Sequence, residues 1–136
     1  MLELLEQRLE MTVRDYECDV QGIVNNAIYL NYLEHARHRY LIGLGIDFVE
    51  MAHRGFNMVV TRIEADYRLP LRSGDQFVVV SRMERNSRLR FNFLQDIIRP
   101  DGRPVLNARV IGTVVDPHGR PVMPREVDAL IPMEPR

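Results

Sequence analysis

The sequence predicts an α+β fold in which a curved antiparallel sheet of about five strands wraps around one long central helix. The helix is predicted from about residue 27 to residue 42, where apolar side chains recur at spacings of three and four. The residues of this stripe are Tyr29, Tyr32, Leu33, Ala36 and Tyr40. Short turns separate most of the strands, so chain neighbours are expected to pair antiparallel. The helix must then bury its stripe against one face of the sheet.

The individual elements are predicted from alternation, apolar runs and turn residues. The predicted strands cover residues 9–13, 56–69, 76–85, 89–93 and 105–116. Asn25 or Asn26 is expected to cap the start of the helix, and Gly43 and Gly45 to end it. Shorter helical pieces are expected at residues 48–54 and 126–131. Asp101-Gly102 is a strong hairpin signal.

Composition limits the possible classes of protein. The length of 136 residues predicts a single domain over residues 1–136. A net charge of −1 argues against a nucleic-acid-binding protein. A single cysteine, Cys18, excludes an intrachain disulfide and fits a reducing compartment. No apolar run approaches the roughly 20 residues of a membrane span, and the N-terminus lacks the basic start of a signal peptide. We therefore expect a cytoplasmic protein.

The segment before the helix carries the residues that suit acyl-transfer chemistry. Asp19 precedes the helix by several residues, and Gly22 allows a sharp bend or a close approach of a ligand to the backbone. The first N–H groups of a helix, here near residues 25–27, have no intrahelical partners and carry the positive end of the helix dipole. They could bind the oxygen of a thioester carbonyl while Asp19 activates water or attacks the carbonyl. The residues alone leave these two routes open.

The stretch DVQGIVNNAIYLNYLEHAR resembles the signature of the 4-hydroxybenzoyl-CoA thioesterase-like family of hotdog proteins. The residues that carry the resemblance are Asp19, Gly22, Val24, Asn25, Asn26, Tyr29, Glu34 and Arg37. A second stretch, YRLPLRSGD, resembles the strand-turn-strand element of the same family. The resemblance implies a hotdog fold and hydrolysis of an acyl-CoA, or an acyl carrier protein thioester, without a cofactor or metal. Many relatives carry His where this chain has Ile23, so no His of this motif is assigned a role.

The resemblance also implies roles for individual residues. The catalytic Asp of the family maps onto Asp19 and its oxyanion-binding amide onto Asn26. By the same resemblance, the chain forms a homodimer or, if two dimers stack, a homotetramer, and the sequence leaves these two assemblies open. The residues implied to contact substrate are Gly22, Val24, Asn25, Tyr29, the partner's Val60, the partner's Thr61, Ser87 and Arg88, the last two near the CoA nucleotide.

Each candidate also has a structural interpretation. Asp19 could be a turn residue, Asn25 and Asn26 simple caps, and Tyr29 part of the core. Glu34, a rival carboxylate on the helix, could be solvated or ion-paired. Arg85, Arg88 and Arg90 could form a solvated strand end or bind a phosphate. The four His residues show no metal-binding spacing.

Three functions follow from this fold. The first is hydrolysis of an acyl-CoA thioester. The second is a non-catalytic acyl-CoA-binding module on the same scaffold, because fold does not fix function. The third, a hotdog dehydratase or hydratase, is disfavoured because Ile23 stands where a His would help.

Overall fold

The computed structural model describes residues 6–133, which form an antiparallel sheet and a long helix. The strands and α-helices of this part of the chain are β1 (Gln7–Thr12), α1 (Asn26–Gly43), α2 (Phe48–His53), β2 (Asn57–Tyr67), β3 (Gln76–Arg85), β4 (Phe91–Ile98), β5 (Pro104–Val115), β6 (Pro121–Val122) and α3 (Arg125–Leu130), and a short 3₁₀ helix covers Asp15–Glu17. The predicted α+β class, with one helix on a curved antiparallel sheet, is confirmed. The two-residue β6 was not predicted, and β4 starts two residues later and runs further than the alternation indicated.

The strand order is β1-β3-β4-β5-β2, with β6 added beside β5. We expected that strands that follow each other along the chain would pair in the sheet. This expectation is correct for β3 with β4 and for β4 with β5, but it is wrong for β2 with β3. The segment between β2 and β3 is not a hairpin turn, because it crosses the start of α1. Leu71, at its centre, is fully buried, and its N–H donates to the Tyr29 hydroxyl at 3.0 Å. This crossover places β2 at the far edge of the sheet, beside β5.

Helix α1 packs its apolar stripe on the concave face of the sheet. All five residues predicted for the stripe are buried, which confirms that prediction. Asn25 is the N-cap, and its side chain accepts a hydrogen bond from the N–H of Ala27 at 3.1 Å. Near the start of the helix Tyr32 packs against Phe77, and near its end Tyr40 packs against Phe93. The core is therefore built as two clusters, one at each end of the helix.

The edge strand β2 leaves apolar side chains uncovered. Val60, Ile63 and Tyr67 lie opposite Gly112, Val110 and Leu106 of β5 in the antiparallel register. They therefore share the face of the sheet that carries the core, yet their exposed fractions are 48%, 39% and 50%. A long edge strand with exposed apolar residues on its inner face is a site where another strand adds.

No helix in the described range 6–133 is long and apolar enough to cross a membrane.

Candidate active site at the start of the long helix

Asp19 lies in a tight loop whose two arms bond to each other. The N–H of Asp19 donates to the Ile23 carbonyl at 2.9 Å, and the N–H of Asn25 donates to the Glu17 carbonyl at 3.1 Å. Within the loop, Oδ1 of Asp19 accepts from the N–H of Gln21 at 2.8 Å. Gly22 has a φ of +81°, a left-handed conformation that glycine adopts without strain. Asp19 therefore acts as a turn residue, and the bend at position 22 has a backbone conformation that favours glycine.

The carboxylate of Asp19 nevertheless keeps one oxygen free of this turn. Among the described residues, hydrogen bonds reach Oδ1 from Gln21 and, more weakly at 3.4 Å, from Ile23, but none reaches Oδ2. The side chain is exposed in the single chain, so burial in an apolar cleft, which would raise its basicity, is not provided by one protomer. An exposed carboxylate oxygen held in a fixed orientation can accept a proton from water or attack an electrophile.

The first amide of α1 is available to a ligand. Asn26 is the first helical residue, and the carbonyl four residues before it belongs to Gly22, outside the helix. The neighbouring amides of Ala27 and Ile28 donate to Asn25, but within residues 6–133 the N–H of Asn26 has no acceptor. Such an unpaired donor at the positive end of a helix can bind a developing oxyanion. Asn25 acts as the cap, so the structural interpretation of its side chain is confirmed.

Glu17 fastens the Asp19 loop to the helix, and sequence reasoning did not identify it. One oxygen of its carboxylate, Oε1, accepts from the N–H of Arg14 and from the hydroxyl of Tyr32, both at 2.8 Å. Oε2 pairs with the Arg14 guanidinium at 3.5 Å, and the side chain is only 12% exposed. Burial and this hydrogen bond to Glu17 both raise the pKa of Tyr32. The start of the loop is thus held against the second turn of α1.

Two residues that the resemblance assigned to substrate lie in the core of the single chain. Val24 is 2% exposed, and its N–H donates to the Leu71 carbonyl at 2.8 Å. Tyr29 is 4% exposed, its hydroxyl is occupied by the N–H of Leu71, and its burial raises its pKa. Through these bonds both residues fix the segment around Leu71 against the start of α1. Tyr67, at the end of β2, donates to the Asn26 carbonyl at 3.3 Å and stacks edge-on against Tyr29.

Val60 and Thr61 lie at the other end of the molecule, at a bulge in β2. The register with β5 shifts between Val60 and Arg62, which leaves Thr61 as the extra residue. Its hydroxyl donates to the Ile111 carbonyl at 3.1 Å. On β5, a Cβ added to Gly112 would lie 2.8 Å from Phe91 and 2.9 Å from the Val59 carbonyl oxygen. Glycine therefore permits the close approach of β2 at the bulge, a feature often found beside functional sites.

Ser87 and Arg88 lie in the turn between β3 and β4, which is organised by Arg85. The guanidinium of Arg85 donates to the carbonyls of Ser87 and Arg88 and pairs with Asp128 of α3 at 2.6 Å. Arg85 is consequently committed to internal contacts. The side chains of Arg88 and Arg90 are exposed, and neither forms an ion pair with a described residue. Of the three arginines of this cluster, Arg88 and Arg90 are therefore the two that remain open to an anion from outside.

The candidate residues thus form two groups at opposite ends of α1. Asp19, Gly22, Asn25 and Asn26 lie where the helix begins, and Val60, Thr61, Ser87 and Arg88 lie beside its second half. The 18 residues of α1 rise by about 1.5 Å each, so its ends are roughly 27 Å apart. One chain does not bring the two groups together.

The remaining titratable groups show no metal centre. Within the described residues, no cluster of three or more His, Cys, Asp or Glu side chains could hold a metal ion. His35 and His38 are exposed on α1, and His38 stacks on Phe48 at 5.0 Å between ring centroids. Glu34 is exposed and lines a cavity beside β2.

Comparison with known proteins supports a single family. Over 115 residues the chain is 41% identical to the chloroplastic acyl-acyl carrier protein thioesterase ATL3 of Arabidopsis thaliana, covering 84% of this chain and 60% of that protein. The chain thus spans only about three fifths of the length of that curated relative. It is 30% identical over 109 residues to the long-chain acyl-CoA thioesterase FadM of Escherichia coli, covering 79% of this chain and 81% of that protein.

Solved structures share the fold. A 1,4-dihydroxy-2-naphthoyl-CoA thioesterase from Synechocystis superposes with a TM-score of 0.86 at 18% identity, covering 93% of this chain and 95% of that one. A hypothetical protein from Aquifex aeolicus superposes with a TM-score of 0.84 at 30% identity, covering 92% of this chain and 98% of that one. The profile of the Thioesterase-like superfamily matches residues 13–131. The fold, the loop geometry and these matches agree, and the chain belongs to the Thioesterase-like superfamily.

Proposed function

We propose that this protein hydrolyses an acyl thioester to a free acid and a thiol, with Asp19 as the reacting carboxylate. The observation that carries the proposal is that a carboxylate oxygen and a backbone N–H group, both without a hydrogen-bond partner among the described residues, lie in one loop and at the start of the helix that follows it. Asp19 keeps Oδ2 free of the turn, and the following helix begins with an amide, that of Asn26, that lacks an acceptor in the described chain. Relatives that are named as acyl-acyl carrier protein and acyl-CoA thioesterases support the same chemistry.

The steps follow from where charge develops. The thioester carbonyl oxygen accepts a hydrogen bond from the N–H of Asn26, which stabilises the oxyanion by about 3–4 kcal/mol in the transition state. Asp19 either takes a proton from the attacking water or adds to the carbonyl carbon to form an anhydride that water then cleaves. In both routes the C–S bond breaks, the thiolate leaves and takes up a proton, and the acid is released. The dipole of α1 favours the negative charge at this position.

We propose further that the complete site forms between two protomers. Antiparallel pairing of two β2 edges about a two-fold axis between residues 63 and 64 would place the partner's residues 60 and 61 opposite residues 67 and 66 of the first chain. Tyr67 contacts Asn26, so this pairing would bring the partner's Val60 and the partner's Thr61 to the start of α1. The exposed inner-face side chains of β2 would be covered at the same time. Stacking of two such dimers into a tetramer remains part of the proposal.

The carrier of the acyl group is proposed to be CoA, with acyl carrier protein as the alternative thiol. Arg88 and Arg90 are exposed and unpaired among the described residues, so they can contact a phosphate of CoA from the partner side. The same two charges would also attract an acidic carrier protein. Comparing the two thioesters of one acyl group distinguishes these carriers.

The test is a thiol-release assay on wild type and Asp19→Asn over short, long and aromatic acyl-CoAs. Asparagine keeps the Oδ1 acceptor of the turn, so the fold should persist while turnover falls by at least about 100-fold. Asp116→Asn is the matched control, because Oδ1 of Asp116 accepts from the N–H groups two and four residues later in the same pattern. Full turnover in Asp19→Asn would remove the proposed mechanism. Tight acyl-CoA binding without hydrolysis by wild type would instead identify a non-catalytic binding module.

A further inference from the structure

The cavity that Glu34 lines lies beside the bulge of β2, between this strand and the second half of α1. Its volume is about 240 Å³. Its apolar lining includes Leu41, Met58, Val60, Phe91, Phe93 and Val110. A dry cavity of about 150 Å³ holds one benzene molecule, so this space has room for roughly ten carbon atoms. It is thus large enough for the acyl part of a substrate.

The polar side chains of this cavity come from one face of α1, and Arg37 is the buried one among them. Glu34, Arg37 and His38 line the space, but Glu34 and His38 are exposed whereas Arg37 is only 8% exposed. Its guanidinium donates to Oε1 of Gln95 at 3.1 Å and has no ion pair with a carboxylate of the described chain. Burial lowers the pKa of Arg37, which is the expected effect of incomplete solvation of a cation.

Gln95 fixes the orientation of this guanidinium. Its side-chain amide donates to the Leu33 carbonyl and to the Ser81 hydroxyl, both at 3.0 Å, and it is fully buried. With both N–H groups of the amide engaged, Oε1 must face Arg37. One nitrogen of the guanidinium is thereby held, and its other N–H groups lack a protein acceptor within residues 6–133. This arrangement presents donors to whatever enters the cavity.

We propose that this cavity binds the acyl group of the substrate and that Arg37 selects acyl groups carrying an acceptor oxygen, such as a hydroxyl or a ketone, over plain alkyl chains. The inference rests on the proposed thioester hydrolysis, and the cavity of one protomer would receive an acyl group whose thioester lies at Asp19 of the other. Along the same helix, Arg37 is about 17 Å from Asn26, so the start of α1 in the same chain is distant.

The preference for oxygen-bearing acyl groups follows from the water that an acyl chain displaces from the Arg37 guanidinium. A plain alkyl chain would expel water from the guanidinium and leave its N–H groups without an acceptor, which costs binding free energy. An oxygen at the matching position would replace that water and accept from a charged donor. Such hydrogen bonds contribute enough to change relative affinity by tenfold or more.

The test compares octanoyl-CoA with the set of hydroxyoctanoyl-CoA isomers, which carry one hydroxyl group at successive positions along the acyl chain. In wild type, kcat/KM for at least one isomer should exceed that for octanoyl-CoA by tenfold or more. In Arg37→Met, which keeps an unbranched apolar stem, the ratio of kcat/KM for that hydroxylated substrate to kcat/KM for octanoyl-CoA should fall to near one. Arg39→Met is the control, because the exposed Arg39 side chain is not part of the cavity and the ratio should stay at the wild-type value.

A binding measurement separates this inference from the proposed hydrolysis. Calorimetry with non-hydrolysable thioether analogues of the same compounds on wild type requires neither turnover nor a folded variant. Preference for a hydroxylated analogue supports the role of Arg37 even if no thioester is hydrolysed, in which case the proposed function alone fails. Equal affinities for all analogues, or an unchanged ratio in Arg37→Met, would overturn the inference while leaving hydrolysis intact.

Discussion

The hydroxyl of Tyr32 on α1 donates a 2.8 Å hydrogen bond to the carboxylate of Glu17, two residues before Asp19. The helix thereby holds the loop that carries Asp19, the proposed reacting carboxylate. The same oxygen also accepts from the N–H of Arg14, so the Glu17 carboxylate joins the backbone at the start of the loop to the helix.

Removing this hydroxyl should weaken both the fold and the reaction. Tyr32→Phe deletes a hydrogen bond to a charged group, which contributes about 1.5–3 kcal/mol to the free energy of unfolding. We expect kcat to fall several-fold with a smaller change in KM, because the loop that orients Asp19 is less restrained. Denaturant unfolding and steady-state kinetics measure the two effects.

Tyr40→Phe provides the matched control for this change. The Tyr40 side chain is as buried as that of Tyr32, but its hydroxyl accepts a hydrogen bond from the N–H of Met83 near the other end of α1. The Tyr40→Phe variant should have a lower free energy of unfolding, while its kcat stays close to that of wild type. An equal loss of kcat in both variants would show that a general loosening of the core, and not the Glu17 contact, is responsible.

Stability should also fall at alkaline pH, and Tyr32 should contribute to the slope. Burial and the bond to Glu17 raise the pKa of Tyr32 in the folded state, whereas in the unfolded chain it ionises near pH 10. The unfolded state therefore loses protons first, and stability declines above about pH 10 by roughly 1.4 kcal/mol per pH unit for each such tyrosine. The free energy of unfolding between about pH 9 and pH 11.5 should decline less steeply in Tyr32→Phe than in wild type. Parallel curves would contradict this assignment.

A charge on the inner face of β2 should dissociate the proposed dimer. Ile63→Glu places a carboxylate among the exposed apolar side chains of the open edge, where a partner strand would desolvate it. Arg62→Glu places the same carboxylate on the opposite face of the strand and should leave the dimer intact. Light scattering coupled to gel filtration gives the mass of each variant. A dimeric Ile63→Glu would mean that β2 is not the contact strand.

Mixed dimers can reveal whether each site draws on two chains. Asp19→Asn damages one half of the proposed site, and Val60→Trp blocks the other half. Each homodimer should be inactive, whereas random mixing gives heterodimers in which one site has both halves intact. The mixture should recover about a quarter of wild-type activity, the statistical share of intact sites in a two-fold dimer. No recovery after subunit exchange would place the whole site in one chain.

Sequence reasoning predicted the local features of this protein well. The stripe of α1 and the Asn25 cap depend on residues within a few positions of each other, and both are confirmed. The pairing of β2 with β5 was not predictable in this way, since it depends on how the segment around Leu71 crosses the helix. Tyr29 was correctly considered a possible core residue, but its bond to Leu71 joins positions 42 apart in the sequence.

The same distinction applies to the candidate site, whose residues stay a prediction. The loop around Asp19 is a contiguous motif, so its residues could be proposed before the fold was known. Glu17 carries no motif signal, and its bond to Tyr32 appears only when the loop is folded against the helix. The contact of Arg37 with Gln95 spans 58 positions, so its orientation toward the cavity follows from the sheet order rather than from the helical pattern.

Arg85 has a consequence for how the chain is completed during synthesis. It joins the turn after β3 to Asp128 and to the carbonyl of Ile131, which follow it by 43 and 46 positions. The turn can therefore be locked into its final shape only after the ribosome has released nearly the whole domain. Until then the turn that presents Arg88 and Arg90 to solvent is not held by Arg85, so a nascent chain would order its proposed CoA-phosphate site last.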